Sequence, residues 1–147
     1  MRILLVDDHE LFRKGLQALL DPDAELRIDG AASVAEGLDR ARSGGYDLVL
    51  LDLKMPGVEG MEGLRAMRDA LPATPVVVLS GEEYSHVVRA AIELGAMGFI
   101  PKSSTPDVLK QALRLIAAGG VYLPPAVLET RAPAALPQKP APGEPAR

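Results

Sequence analysis

Three short apolar runs constrain the fold of this chain more than any other feature of its sequence. They cover Ile3–Val6, Leu48–Leu51 and Val76–Leu79, and apolar residues do not alternate with polar ones in them. Strands of this kind are buried on both faces, as in the parallel sheet of an α/β protein. Two weaker strands fit at Leu26–Ala31 and Gly98–Ile100, so we expect a parallel sheet of five strands.

Helical spacing of apolar residues fills the intervals between these strands. The apolar stripes comprise Phe12, Leu16 and Leu19; Met61, Leu64, Met67 and Leu71; Val87, Val88 and Ala91; and Leu109, Ala112 and Ile116. Ser33 and Glu36 form a capping box for a further helix, and Thr105-Pro106 is typical of a helix start. Glycines stand where helices should end, at positions 44, 45, 95, 119 and 120. Alternating strands and helices predict a doubly wound sheet with helices on both faces.

Composition limits the class of protein. The 147 residues allow one ordinary domain, and with three Tyr, two Phe and no Trp its core must be aliphatic. The sequence has no apolar run long enough for a membrane span and no signal peptide. It has no Cys, which excludes disulfides and Cys-based zinc sites, so we expect a cytoplasmic location. The net charge of −4 argues against direct binding of nucleic acid by this segment.

The character of the chain changes after about Leu123. Seven of its 13 prolines fall at or after Pro124, where they are mixed with Ala and little apolar periodicity remains. We therefore predict one domain over residues 1–123 and a Pro/Ala-rich linker or tail over residues 124–147, disordered in solution.

Chemically active side chains follow four of the five strands. The first strand is followed by Asp7-Asp8, the third by Asp52, the fourth by Ser80 and the fifth by Lys102. Because ligands bind at the carboxyl ends of strands in open parallel sheets, we expect these side chains to meet at one edge. Three adjacent carboxylates raise one another's pKa unless a hard divalent cation such as Mg²⁺ lies between them. Together with an ammonium group, such a site suits phosphoryl transfer onto a carboxylate.

These residues resemble the receiver domain of two-component response regulators. The resemblance rests on Asp7-Asp8, the segment DLKMPGVEG at positions 52–60, Ser80 and Lys102, and it covers about residues 2–120. The segments GAMGFIPKS at 95–103 and GGVYL at 119–123 are similar to the LuxR-type (NarL/FixJ) subgroup. The resemblance implies a flavodoxin-like fold with strand order 2-1-3-4-5. In this sequence Ser103 follows the lysine, where many relatives have Pro.

The resemblance implies that Asp52 is the phosphoacceptor. Mg²⁺ or Mn²⁺ would be held by Asp8, Asp7, Asp52 and the backbone carbonyl of Lys54. The domain would assist its own phosphorylation and dephosphorylation without being an enzyme. On the simplest alternative, Asp7-Asp8 is only a turn and a helix N-cap.

The resemblance also assigns the phosphate contacts and the switch. Ser80 and Lys102 would bind the phosphoryl group, and Phe99 would turn inward when Ser80 moves toward it. The face formed by the fourth helix, fifth strand and fifth helix would then change shape and recruit a second receiver. Phe99 is otherwise a plain core residue.

One further pair of residues is predicted to lie near the site. Lys54 and Glu82 each stand two residues beyond a site residue, and we hypothesise that their ion pair shields the acyl phosphate from water. Both could equally be solvated side chains. His9 and His86 are predicted to be non-catalytic, because one His with no Cys makes a poor transition-metal site.

The implied partners are a sensor histidine kinase and, on activation, a second copy of the receiver. LuxR-type relatives continue into a helix-turn-helix DNA-binding domain that regulates transcription. We therefore expect this chain to be a receiver cut from a longer regulator, with a natural single-domain receiver as the alternative. Neither nucleic acid nor membrane is expected to bind this segment directly.

Three other functions fit the sequence less well. A haloacid-dehalogenase-like phosphatase needs Asp-x-Asp after the first strand, where this chain has Asp7-Asp8-His9. A nucleotide-binding P-loop at 95–103 is disfavoured because Pro101 replaces the glycine before the lysine. A pseudo-receiver that is never phosphorylated remains the main alternative, although every site position is filled.

Overall fold

The computed structural model describes residues 1–20, 26–54, 60–81 and 85–123, and in these ranges strands and helices alternate. The strands are β1 (Arg2–Val6), β2 (Arg27–Ala31), β3 (Leu48–Asp52), β4 (Val76–Ser80) and β5 (Gly98–Pro101). The helices are α1 (Glu10–Leu20), α2 (Val34–Arg42), α3 (Gly60–Ala70), α4 (Ser85–Glu93) and α5 (Pro106–Ala117). All five predicted strands are confirmed, with ends that shift by one residue.

The strands form one parallel sheet in the order β2-β1-β3-β4-β5, which confirms the predicted topology. The register places Val6 of β1 beside Leu51 of β3, and Asp52 of β3 beside Leu79 of β4. Each parallel pair requires a crossover, and the helices supply it. The carboxyl ends of all five strands therefore share one edge of the sheet.

Helices cover both faces of the sheet, which explains why its strands are apolar at nearly every position. On one face, α1 and α5 pack against alternate strand residues such as Ile3, Leu5 and Leu50. On the other face, α2, α3 and α4 pack against the intervening residues, such as Leu4 and Val6. The result is two aliphatic cores separated by the sheet.

The predicted helix boundaries follow local capping chemistry. Ser33 Oγ accepts the Glu36 amide at 3.1 Å, and the Glu36 carboxylate accepts the Ala32 amide at 2.8 Å. Thr105 caps α5 by accepting the Val108 amide at 3.2 Å. The contacts to the Glu36 and Val108 amides satisfy groups that a helix start leaves without an internal partner. After α4 the chain turns at Gly95, whose φ of 103° suits a residue without a side chain.

The predicted apolar stripe of α1 is wrong at one position. Leu16 and Leu20 are buried against the sheet, whereas Leu19 is 55% exposed. A helix advances about 100° per residue, so Leu16 and Leu20 share a face and Leu19 lies at its rim. There it lines a shallow apolar groove between α1 and α5 together with Leu11.

The chain after α5 returns to the edge of the sheet. Tyr122 forms a parallel bridge with Gly98, and the Phe99 amide donates to the Tyr122 carbonyl at 2.9 Å. The predicted linker over residues 124–147 lies outside the described residues, as do residues 55–59 of the 52–60 motif and Glu82. No helix in the described part of the chain is long and apolar enough to cross a membrane.

Candidate phosphoacceptor and metal site

Four predicted side chains meet at the carboxyl edge of the sheet. Asp52 and Ser80 are the last residues of β3 and β4, and Asp7 and Lys102 directly follow β1 and β5. Because β1, β3, β4 and β5 are adjacent in that order, these residues stand side by side. The Lys102 amide donates to the Ser80 carbonyl at 2.8 Å, which ties the end of β5 to that of β4.

The Lys102 ammonium lies between two buried carboxylates. Its Nζ atom is 2.8 Å from Asp7 Oδ2 and 3.2 Å from Asp52 Oδ2. The ammonium also lies 4.7 Å from the centre of the Phe12 ring, close enough for a cation–π contact. With its side chain only 18% exposed, Lys102 is held at the site rather than free in solvent.

Burial raises the pKa of the Asp52 carboxyl above its ordinary value, and the charge of Asp7 acts in the same direction. The Lys54 amide, which donates to Asp52 Oδ1 at 3.1 Å, and the Lys102 ammonium oppose this shift without cancelling it. Asp52 is only 2% exposed, so water solvates its ionised carboxylate poorly. This burial favours any change that delocalises or neutralises the negative charge of Asp52.

The neighbouring Asp7 shifts in the opposite direction. Burial raises its pKa, but hydrogen bonds from Lys102 and His9 outweigh burial and hold the pKa of Asp7 below its ordinary value. Burial lowers the pKa of Lys102, yet its two carboxylate partners raise it above the ordinary value overall. The site therefore keeps both Asp7 and Lys102 ionised at neutral pH.

The acidic residues of the site fit a divalent cation. Asp7, Asp8, His9 and Asp52 each offer one ligand atom, and these atoms lie within 4.8 Å of one another. Asp8 Oδ1 is a buried oxygen that accepts no hydrogen bond from the described residues, and Asp7 Oδ2 is contacted by the Lys102 ammonium at 2.8 Å. Buried carboxylate oxygens of this kind are the ligands that Mg²⁺ prefers.

Comparison with known proteins identifies the family of this domain. The family model of the response regulator receiver domain matches residues 3–114. The chain belongs to this family. Receiver domains are signalling domains of two-component systems and not classical enzymes.

Curated relatives place this receiver in the LuxR-type subgroup. It is 39% identical to the glycerol metabolism activator of Pseudomonas putida over 88% of the chain. It is 38% identical to the nitrate/nitrite response regulator NarL of Escherichia coli over 82% of the chain. The chain spans 60% and 56% of the length of these two proteins.

A solved structure supports the same subgroup. A LuxR family DNA-binding response regulator from Silicibacter pomeroyi is 38% identical and superposes with a TM-score of 0.74. That comparison covers 84% of this chain and 97% of the other.

The remaining predicted site residues of the receiver lie around this centre. Ser80 is buried, and Lys54 is exposed beside the groove that contains Asp52. Phe99 is fully buried in the core on the side of α2, α3 and α4, and its role as a switch stays a prediction. The metal contact of the Lys54 carbonyl stays a prediction, and Glu82 lies outside the described residues. The rejected P-loop segment contains β5, because Gly98–Pro101 is a strand.

Three residues near the centre were not predicted to take part. Phe12 covers the Lys102 ammonium, and the Arg13 guanidinium donates to the Asp7 carbonyl oxygen. The His9 ring contacts Asp7 with its Nδ1 atom at 2.8 Å. Their positions in the sequence could have predicted this. All three residues follow Asp7-Asp8 by no more than about one helical turn, so they must lie close to the acidic pair.

Proposed function

We propose that this receiver accepts a phosphoryl group on Asp52 from the phosphohistidine of a sensor histidine kinase, in a reaction that needs Mg²⁺ or Mn²⁺. The observation that carries the proposal is the position of the Lys102 ammonium, within 3.2 Å of the carboxylates of both Asp7 and Asp52. Receiver domains work with histidine kinases, which supports this class of donor.

The transfer follows from the chemistry of the side chains. A carboxylate oxygen of Asp52 attacks the phosphorus atom as the bond from phosphorus to the imidazole nitrogen breaks, and that nitrogen keeps the electron pair. Lys102 can contact the phosphoryl oxygens, and the Ser80 hydroxyl can donate to one of them. A divalent cation held by Asp7, Asp8, Asp52 and the Lys54 carbonyl would supply further positive charge to those oxygens.

Loss of the phosphoryl group is a second displacement at phosphorus, with water as the nucleophile. Water attacks phosphorus, the bond to the Asp52 oxygen breaks, the Asp52 carboxylate is restored, and inorganic phosphate leaves with the oxygen of the water while the water protons pass to the phosphate or the solvent. The same Lys102 and Ser80 contacts favour this step, so we propose that the domain assists its own dephosphorylation. We propose that Lys54, which lines the groove beside Asp52, limits access of that water together with Glu82.

The output we propose is a change at the face formed by α4, β5 and α5. When Ser80 moves toward the phosphoryl group, the buried Phe99 ring is held inward and this face recruits a second receiver. The similar Silicibacter pomeroyi protein is a DNA-binding response regulator of the LuxR family. We propose that this receiver likewise controls a DNA-binding domain, in the cytoplasm.

The test is the intact mass of the protein after incubation with Mg²⁺ and acetyl phosphate. We expect a gain of one phosphoryl group that disappears with EDTA and in the Asp52→Ala variant. If the folded wild type gains nothing from acetyl phosphate or from any histidine kinase that phosphorylates LuxR-type relatives, the chain is a pseudo-receiver, an interaction module without this chemistry.

A further inference from the structure

The His9 ring lies among the carboxylates of the site. His9 stands between β1 and α1, and its Nδ1 atom is 2.8 Å from Asp7 Oδ1, 3.4 Å from Asp8 Oδ1 and 3.8 Å from Asp52 Oδ2. The three acidic residues thus surround one ring nitrogen. His86, the only other histidine of the chain, does not belong to this cluster.

Each of these distances fits a nitrogen and an oxygen bound to the same ion. Metal–nitrogen and metal–oxygen bonds are about 2.1 Å long, so two ligands of one ion stand no more than about 4.2 Å apart. All three separations from the His9 nitrogen fall below that limit. The Asp8 oxygen in this set is also buried and accepts no hydrogen bond from the described residues.

Hydrogen bonding within the protein accounts for only part of this arrangement. If Nδ1 carries a hydrogen it can donate to Asp7 Oδ1 at 2.8 Å, but the buried Asp8 Oδ1 then still accepts no hydrogen bond from the described residues. If Nδ1 offers its lone pair to Lys102, it faces the lone pairs of Asp7 Oδ1 at 2.8 Å. A cation shared by the nitrogen and the carboxylates would satisfy all of these lone pairs at once.

We infer that His9 is a nitrogen ligand of the divalent-cation site and that this receiver binds transition-metal ions such as Ni²⁺ and Co²⁺ more tightly than Mg²⁺. The inference rests on the proposed function for the carboxylate part of the site. Imidazole is a preferred ligand of nickel, copper and zinc, whereas magnesium prefers oxygen. The His9 side chain is 58% exposed, so the ring can turn to meet an ion that arrives from solution.

The test compares two metals in three proteins. Binding of Ni²⁺ and of Mg²⁺ is measured by titration calorimetry on the full 147-residue chain without a histidine tag. The variants are His9→Ala and, as the matched control, His86→Ala, which removes an imidazole from α4. We expect His9→Ala to weaken Ni²⁺ binding by about tenfold or more and Mg²⁺ binding by less than about threefold. His86→Ala should leave both unchanged.

Loss of the visible d–d absorption shift of bound Co²⁺ in His9→Ala, with the shift retained in His86→Ala, would support the same ligand directly. The inference is overturned if His9→Ala leaves Ni²⁺ affinity unchanged, raises it, or weakens Ni²⁺ and Mg²⁺ binding equally. In those cases Mg²⁺ binding by the wild type still supports the proposed function. If the wild type binds neither metal, the result contradicts both this inference and the proposed divalent-cation site on the carboxylates.

Discussion

The amide of Phe99 donates a hydrogen bond of 2.9 Å to the carbonyl oxygen of Tyr122. Phe99 is the predicted switch residue on β5, and Tyr122 lies in the segment that follows α5. The bond and the adjacent bridge between Gly98 and Tyr122 join the two segments directly. Movement of β5 would therefore be transmitted to the segment around Tyr122.

Gly98 allows this close approach, and a side chain there should disturb it. A Cβ atom on Gly98 would lie 2.8 Å from Ile116 Cδ1 and 3.1 Å from the Tyr122 oxygen. We expect Gly98→Ala to lower the free energy of unfolding by about 1–3 kcal/mol, measured by urea denaturation. The Phe99 amide should also exchange its hydrogen faster. Gly15→Ala is the control, because a Cβ atom there meets no described atom within 4 Å and should add about 0.5–1 kcal/mol. Equal effects at both glycines would contradict the packing argument.

Lys102 should control the rate of phosphorylation. We expect Lys102→Ala to slow phosphorylation by acetyl phosphate about 10- to 100-fold, because the positive charge beside Asp52 is removed. The rate is followed by intact mass at fixed Mg²⁺ concentration. Lys14→Ala is the control, since that lysine is 70% exposed and pairs with Glu10 on α1. Equal rates for both variants would rule out the role of Lys102.

Asp52 should reduce the stability of the fold at neutral pH. Its pKa in the folded state is raised above the unfolded value, so the ionised form is disfavoured by folding. This penalty is absent below about pH 3.8, grows as the pH rises from there, and is complete above the folded pKa. We expect Asp52→Asn to raise the free energy of unfolding at pH 7 by about 1–2 kcal/mol in EDTA. The gain should shrink in denaturation curves recorded toward pH 3.8, and a gain independent of pH would contradict this origin.

Asp7, in contrast to Asp52, should increase the stability of the fold at neutral pH. Its folded pKa is lowered, so it contributes stability that is present above the ordinary value of 3.8 and is lost as the pH falls through the folded pKa. We expect Asp7→Asn to lower the free energy of unfolding by about 1–3 kcal/mol at pH 7 in EDTA, because the Lys102 ammonium loses a buried partner. Stabilisation by both Asp7→Asn and Asp52→Asn would show that simple charge repulsion dominates the site.

The Lys54 and Glu82 hypothesis concerns the lifetime of the acyl phosphate. An ion pair in solvent is worth at most about 1 kcal/mol, so on this hypothesis Lys54→Ala and Glu82→Ala should each shorten the lifetime by no more than about fivefold. The decay is measured by intact mass after removal of acetyl phosphate. The double variant should decay as fast as either single variant if the two residues act as a pair. Unchanged lifetimes in both single variants would end the hypothesis.

The sheet could be predicted from the sequence because burial leaves a simple pattern. Strands covered on both faces are apolar throughout, and Ile3–Val6 and Leu48–Leu51 are recognisable for that reason. The strand ends could also be located, since Asp52 and Ser80 interrupt the apolar runs. The buried face of α1 was harder to predict from the sequence. Leu19 and Leu20 are equally apolar, and only packing decides which of the two faces the sheet.

The sequence by itself determined the α/β alternation, the edge where the site would form and the residue types that meet there, because each is written in local periodicity or in the residue that ends a strand. Only the tertiary structure decided how the charges share that edge. It lowered the pKa of Asp7, raised the pKa of Asp52, and placed the His9 nitrogen among three carboxylates. The reason is that electrostatic interactions depend on distances and burial between residues far apart in sequence, which no local pattern records.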